Sequence, residues 1–303
     1  MLSMKILIFG RGVISTQYAY ALQQAGHNVE FYVRPGKKVE HIHLNIYLKG
    51  KYLDTIWPVS MRETLPADHD YDLILVSVQH YQFAQLADFL STRTSKASIL
   101  IFNNFWEDPV KATAALPQEQ LVWGFPIAAG GYDANNILKG ALFGKVHFGT
   151  FGTPATDRDR SIRQLFKSAG FDIITHHDFK SWLSIHFLVN AGILSQALRA
   201  GSVGLMMSSP EHGRNAVLNV RELFPLLAQR GIKVQGEAAL FKLPPRLVSF
   251  LMRTVLKINP AFKHSLMSHS NLEEVKSFCR DVLEEAREKG ITVPRLAAIS
   301  SLL

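Results

Sequence analysis

Gly10-Arg11-Gly12-Val13-Ile14-Ser15 sets two glycines on either side of one residue, directly behind the apolar run Lys5 to Phe9. Such a run suits a buried parallel strand, and Thr16 to Ala25 reads as a helix that Gly26 ends. Val29 to Val33 reads as a second strand. Strand, glycine turn, helix and strand is the order of a dinucleotide-binding unit. Gly10 permits the tight turn, and Gly12 lets the backbone approach a pyrophosphate. The helix start at Val13, Ile14 and Ser15 offers N–H groups to that anion. Ser15 stands where the fingerprint has its third glycine, a position that serves helix–strand packing. Cofactor choice is made at the end of the second strand. Arg34 stands there, followed by Pro35-Gly36-Lys37-Lys38, with no acid to hold a ribose 2′-hydroxyl. Arg34, Lys37 and Lys38 favour a 2′-phosphate, hence NADP(H); a solvated basic loop is the plainer reading.

A second chemical group lies far downstream. His186 and Asn190 fall in Trp182 to Leu198, a stretch without Asp, Glu, Lys or Arg that reads as a buried helix. Four residues apart, they share a helix face. Imidazole titrates near neutral pH, so His186 is a candidate proton donor to a forming alkoxide, and Asn190 could hold the oxygen. A core histidine bonded to a carbonyl would look the same in sequence. Lys180, just upstream, is the alternative acid.

These residues need elements to carry them. Tyr71 to Val78 and Ser98 to Phe102 are further buried-strand runs, ending at Gln79 and at Asn103-Asn104. Leu121 to Phe125, Val146 to Gly149 and Phe171 to Ile174 continue the series. Strands separated by helical patterns describe an α/β fold with a Rossmann-type, doubly wound parallel sheet. Ligands of such sheets lie outside the carboxyl ends of the strands. Gln79 and Asn104 fall at that edge, as candidates for cofactor or substrate contact or as loop-capping amides. His41 to Val59 mixes short β-type runs with polar turns. After Phe179 the β signal disappears, and Glu211 to Arg230, Pro245 to Lys257 and Leu272 to Lys289 read as helices. The expected organisation is an NADP-binding Rossmann-type domain over residues 1–177 and an all-helical substrate domain over residues 178–303.

Composition bounds the partners. Hydrophobic residues make up 47% and charged residues 19%, which describes a globular chain and excludes a disordered one. The formal net charge of +8 is scattered rather than run together, with no zinc or RNA-binding pattern, so no nucleic-acid partner is expected. A positive field that gathers anionic ligands accounts for it. The lone cysteine, Cys279, excludes an intramolecular disulfide and fits a reducing cytoplasm. Met1-Leu2-Ser3 leads straight into the first strand without a visible signal peptide. Ala238 to Ile258, the most apolar late segment, is broken by charges and prolines, so no membrane span is expected. His176-His177-Asp178 lacks a convergent third ligand, and no metal site is expected.

In order along nearly the whole chain, these segments resemble the ketopantoate reductase (2-dehydropantoate 2-reductase) family. The likeness rests on the GxG opening, on Ala25-Gly26-His27 before the second strand and Arg34 after it, and on the strand leading to Asn104. The closing Gly290-Ile291-Thr292-Val293-Pro294 resembles the family's Gly-Ile-x-Val-Pro segment. The resemblance implies an NADPH-dependent oxidoreductase that transfers hydride to the carbonyl of a 2-oxo acid such as ketopantoate, in pantothenate biosynthesis, with a homodimer among the expected assemblies. It implies that Asn104 touches nicotinamide and substrate, and that Glu274 is an acidic residue near the cofactor. It also implies a substrate-holding serine at Ser265 or Ser268. Gln79 stands where the family has a cofactor-contacting lysine. His186 takes the place of the proton-donating lysine of Lys-x3-Asn-x3-Asn, Asn190 that of the first asparagine and Leu194 that of the second. The chain thus reads as a divergent member, with His186, Asn190 and Asn104 as catalytic residues. Two other readings stay open: a reductase of the same fold acting on a less polar carbonyl, which Leu194 favours, and a non-catalytic NADPH-binding or sensing protein.

Overall fold

The computed structural model describes residues 3–269 and 271–303; Met1 and Leu2, ahead of the first strand, and Ser270 lie outside the described residues. The chain divides into two compact units. The first runs to Phe179 apart from Asn104–Trp106, and the second takes those three residues together with Lys180–Leu303.

The first unit is built on one ten-stranded sheet. Its elements in order are β1 (Lys5–Phe9), α1 (Val13–Gln24), β2 (Asn28–Tyr32), β3 (His41–Leu48), β4 (Lys51–Pro58), β5 (Met61–Arg62) and β6 (Leu73–Val76). There follow α2 (Phe83–Leu90), β7 (Ser98–Ile101), α3 (Pro109–Ala112), β8 (Leu121–Tyr132), β9 (Leu138–Gly149), α4 (Asp157–Ser168) and β10 (Asp172–His176). The spatial order is β4-β3-β9-β8-β7-β6-β1-β2-β5, with β10 paired to β9. From β2 through β1, β6 and β7 to β8 every pairing is parallel, the doubly wound core that the buried apolar runs predict. β6 and β7 are buried at every position because helices cover such strands on both faces.

Two antiparallel pairs extend this core. His41 to Val59, where the sequence fixes no detail, forms the hairpin β3–β4. Val146 to Gly149 is only the end of a much longer strand, β9, which pairs with β8 along a ribbon closed by an Asp133 turn. Lysines and glycines in Leu138–Gly149 dilute its β signal, while pairing on both edges supplies the hydrogen bonds that hold it extended. α1 packs on this sheet through Tyr18, which is fully buried against Phe102, Phe166 and Phe171 at centroid distances of 5.1, 5.8 and 5.4 Å. Its hydroxyl accepts the Ile127 N–H, and burial holds the phenol well above its ordinary pKa.

The second unit is helical: α5 (Phe179–Ala200, whose first residue belongs to the first unit), α6 (Val203–Ser208), α7 (Pro210–Glu222), α8 (Phe224–Gln229), α9 (Pro245–Ile258), α10 (Pro260–Met267), α11 (Leu272–Glu288) and α12 (Pro294–Ala297). Glu211 to Arg230, which reads as one helix, is two. The helical pattern breaks at Leu223, with Pro225 in the first turn of α8, where its missing N–H costs nothing. The core gathers Phe187, Leu188 and Ala191 of α5, Val217 and Val220 of α7, and Phe278, Cys279 and Val282 of α11. Phe187 meets Phe278 edge-on at 4.6 Å and Trp106 at 5.3 Å. Arg230 stacks 3.7 Å from the Trp106 ring centroid and donates to its carbonyl at 2.7 Å, which ties residues 104–106 into this unit.

Candidate functional site

The sheet register brings the first unit's candidate residues to one edge. Phe9 pairs with Tyr32 and with Val76, and Val76 with Ile101, so β2, β1, β6 and β7 end in one row. Gly10–Ser15, Arg34 and Gln79 follow directly beyond that row. Gly10 makes the turn at φ +84°, in the left-handed region that a side chain resists, and its N–H donates to Tyr32 O at 2.9 Å.

Gly12 is there for another reason. Its φ of −74° suits any residue, and an added Cβ would meet nothing nearer than the Ser15 hydroxyl at 3.4 Å. The protein itself therefore does not require glycine at this position; a ligand lying on the backbone would. Gly12 is the N-cap of α1 and supplies no side-chain cap, and the first turn carries no acid. The N–H groups of Val13, Ile14 and Ser15 thus open α1 without a capping side chain, the arrangement that receives a phosphate. Ser15, fully buried, donates to Gly12 O at 3.2 Å, so the serine in the third glycine's place braces the loop instead of crowding it. Arg11 lies with its guanidinium 5.9 Å from the Tyr132 ring, and the Tyr132 hydroxyl donates to Arg11 O at 3.4 Å. Nothing local in the sequence connects Tyr132, at the far end of β8, with this loop.

Beyond β2, Arg34, Lys37 and Lys38 are exposed and have no ion-pair partner among the described residues. The nearby acid, Glu63, is turned to the backbone instead: it accepts the Gly36 N–H at 2.7 Å and fixes the turn. Of the two asparagines after β7, Asn103 is structural. It is 2% exposed, donates to Val78 O at 2.7 Å and accepts the Val78 N–H at 3.4 Å, which clamps the segment leading to Gln79. Asn104 is the opposite case. Both polar atoms of its amide are buried, and neither has a hydrogen-bond partner. Leaving a buried amide unpaired is costly, so such a group points to a ligand.

Asn104, His186, Asn190 and Glu274 all belong to the second unit. Along α5, positions 183–185, 187–189 and 191–192 are buried, whereas Trp182, His186, Asn190 and Leu194 are partly exposed. That spacing of four draws a single stripe down the helix. His186 stacks on Trp182 at 5.0 Å with the rings 9° apart, and its Nδ1 lies 2.8 Å from Glu237 Oε1. An ionised carboxylate only accepts, so Nδ1 carries the proton and the tautomer is set. Glu237 escapes sequence reading because it stands 51 residues away. Lys180 is exposed in the first turn of α5. Glu274 sits in the first turn of α11, where its N–H is capped by Asn271 and its carboxylate lies 3.5 Å from His269 Nε2. Ser265 and Ser268 donate to Phe262 O and His264 O of their own helix, at 2.9 and 2.7 Å. Among the described residues no group of three His, Cys, Asp or Glu could hold a metal ion, and no helix is long and apolar enough to cross a membrane.

Residues 6–152 match the sequence model of ketopantoate reductase PanE/ApbA. Over that stretch the chain carries a domain similar to the ketopantoate reductase family. The match covers the glycine loop, Arg34, Gln79 and Asn104, and makes the protein an oxidoreductase of the ketopantoate reductase type. No curated protein matches the sequence. Similar folds run the whole length of the chain. 2-Dehydropantoate 2-reductase from Geobacter metallireducens GS-15 superposes with a TM-score of 0.72 at 17% identity, covering 99% of both chains. A ternary structure of D-mandelate dehydrogenase with NADH and anilino(oxo)acetate gives 0.75 at 14% identity, covering 99% of this chain and 96% of that one. A dimeric ketopantoate reductase from Staphylococcus aureus gives 0.64 at 17% identity, covering 98% of each.

Proposed function

We propose that the protein reduces the carbonyl of a 2-oxo acid such as ketopantoate with NADPH, using residues 1–177 to bind cofactor and residues 178–303 to bind substrate. The observation that carries the reading is the α5 stripe, which presents His186 and Asn190 with the imidazole fixed by Glu237. When bound, a reduced nicotinamide supplies the hydride. The other requirements fall to the chain. Val13, Ile14 and Ser15 N–H groups hold the pyrophosphate against Gly12, while Arg34 and Lys38 take the 2′-phosphate. Gln79 and Glu274 complete the cofactor contacts. The desolvated amide of Asn104 is satisfied by nicotinamide and substrate. In its doubly protonated form, with Nδ1–H held by Glu237, His186 passes the Nε2 proton to the forming alkoxide and is left as the neutral Nδ1–H ring, and Asn190, one turn on, holds that oxygen.

Turnover of a 2-oxo acid panel with NADPH and with NADH tests this. The expected result is reduction of ketopantoate with NADPH favoured by about tenfold or more, the scale of a charge-assisted phosphate contact. Equal rates with NADH would remove the role given to Arg34 and Lys38, and inertness toward the whole panel would overturn the reading. One observation favours a variant of it: Trp182 and Leu194 flank the polar pair on the stripe, which suits a 2-oxo acid with a bulkier apolar group. D-mandelate dehydrogenase, similar in fold, was captured with the aromatic anilino(oxo)acetate. We extend to this chain the homodimer of the Staphylococcus aureus enzyme, and a cytoplasmic location; the buried thiol of Cys279, pushed up to about 12 by desolvation, suits a protein without disulfides.

A further inference from the structure

α7 and the turn that starts α9 line an open surface cavity of about 500 Å³ in the helical unit, bordered by Arg214, Asn215, Leu218, Pro244, Pro245 and Arg246. None of these residues lies on the α5 stripe or has a part in the reaction proposed above. Neither guanidinium is engaged by a carboxylate or a carbonyl among the described residues. Asn215 is oriented from behind: its Oδ1 accepts from Arg295 Nη2 at 2.8 Å, which leaves Nδ2 as the donor end of the amide. Arg295 is itself held, since its Nε donates to Asn219 Oδ1 at 3.0 Å and Glu222 accepts the N–H groups of Arg295 and Leu296 at 2.8 Å each. The 14-residue helix α9 opens on the same cavity with no acid in its first turn. Pro244 O takes the Leu247 and Val248 N–H groups, which starts the helix beside the cavity. Between Glu237 and Glu273 the chain carries no Asp or Glu at all. The polar side chains of the lining present donors, two of them permanently charged.

We propose that this cavity binds a phosphomonoester. Two guanidiniums match the charge of about −1.5 to −2 that such a group carries near pH 7, and their planar forks suit its oxygens. The cavity is larger than a bare phosphate and falls within the size range of small-molecule sites. Leu218 and the two prolines give the organic part an apolar wall. The phosphate could be carried by a soluble metabolite or by a lipid headgroup, and the two sources are separable.

Full-length protein is titrated calorimetrically with glycerol 3-phosphate, with glycerol as the uncharged control, and is sedimented with vesicles containing phosphatidic acid. The expected result is saturable binding of at least one phosphate probe that weakens about tenfold or more in Arg214→Gln and in Arg246→Gln. NADPH binding by both variants stays unchanged, which separates this site from the glycine loop and reports intact folding. Binding in solution assigns a soluble phosphate, and binding to vesicles alone assigns a headgroup. Absence of binding to both probes, or binding that both substitutions leave unchanged, overturns the proposal.

Discussion

Helix α5 carries polar side chains on two faces, and the faces differ in how those groups are satisfied. On one, Ser195 is fully buried, donates to Gly192 O and accepts from Asn219 Nδ2 at 2.8 Å, while Asn219 receives Arg295. That chain of bonds links α5, α7 and α12. On the other face, His186 and Asn190 lie on a partly exposed stripe, with Glu237 reaching in to hold the imidazole. Polar groups in the first set bond one another and hold the fold. Those in the second are aimed where a substrate could use them. The neighbours Asn103 and Asn104 repeat the contrast, the one clamping Val78 and the other buried without a partner.

This division can be broken by substitution. His186→Gln should lower turnover by about 10²- to 10⁴-fold with little change in unfolding midpoint, as for loss of a general acid. Glu237→Gln should lower turnover less, because the amide oxygen still accepts from Nδ1–H while the negative charge that favours the doubly protonated ring is lost; equal losses would make the carboxylate part of the proton path. Asn219→Leu should do the reverse, costing about 1–3 kcal/mol in urea denaturation with kcat nearly unchanged, because Ser195 and Arg295 lose their partner inside the core. If Asn219→Leu abolished turnover without destabilising, the two faces would not be separate. Gly12→Ala is the mildest. Its Cβ has room, so stability should stay within about 1 kcal/mol, while NADPH affinity measured by fluorescence titration falls about tenfold or more. Unchanged affinity would mean that no phosphate approaches this backbone.

What the sequence made legible follows the range of the interactions. The glycine turn, its strand and its helix are contiguous, and their periodicity and spacing carry the strand–turn–helix–strand unit almost to the residue. The His186–Asn190 pair is legible for the same reason, since four residues on one helix make a face. The hairpin β3–β4 and the long ribbon β8–β9 were not, because their pairing is cross-strand and their residues alternate too weakly to show it. Glu237, Tyr132 and the Asn219–Arg295 network come from segments remote in sequence, which no local pattern connects. Between Asn103 and Asn104 the sequence offers two identical side chains, and only burial and bonding tell them apart.

The most direct measurement is single-turnover oxidation of enzyme-bound NADPH by ketopantoate in stopped flow, wild type against His186→Gln, with reduced-nicotinamide absorbance as the signal. The expected result is a fast decay in the wild type that slows by at least about a hundredfold in the variant while NADPH still binds. A variant that turns over at the wild-type rate would contradict it and move the proton donor away from α5.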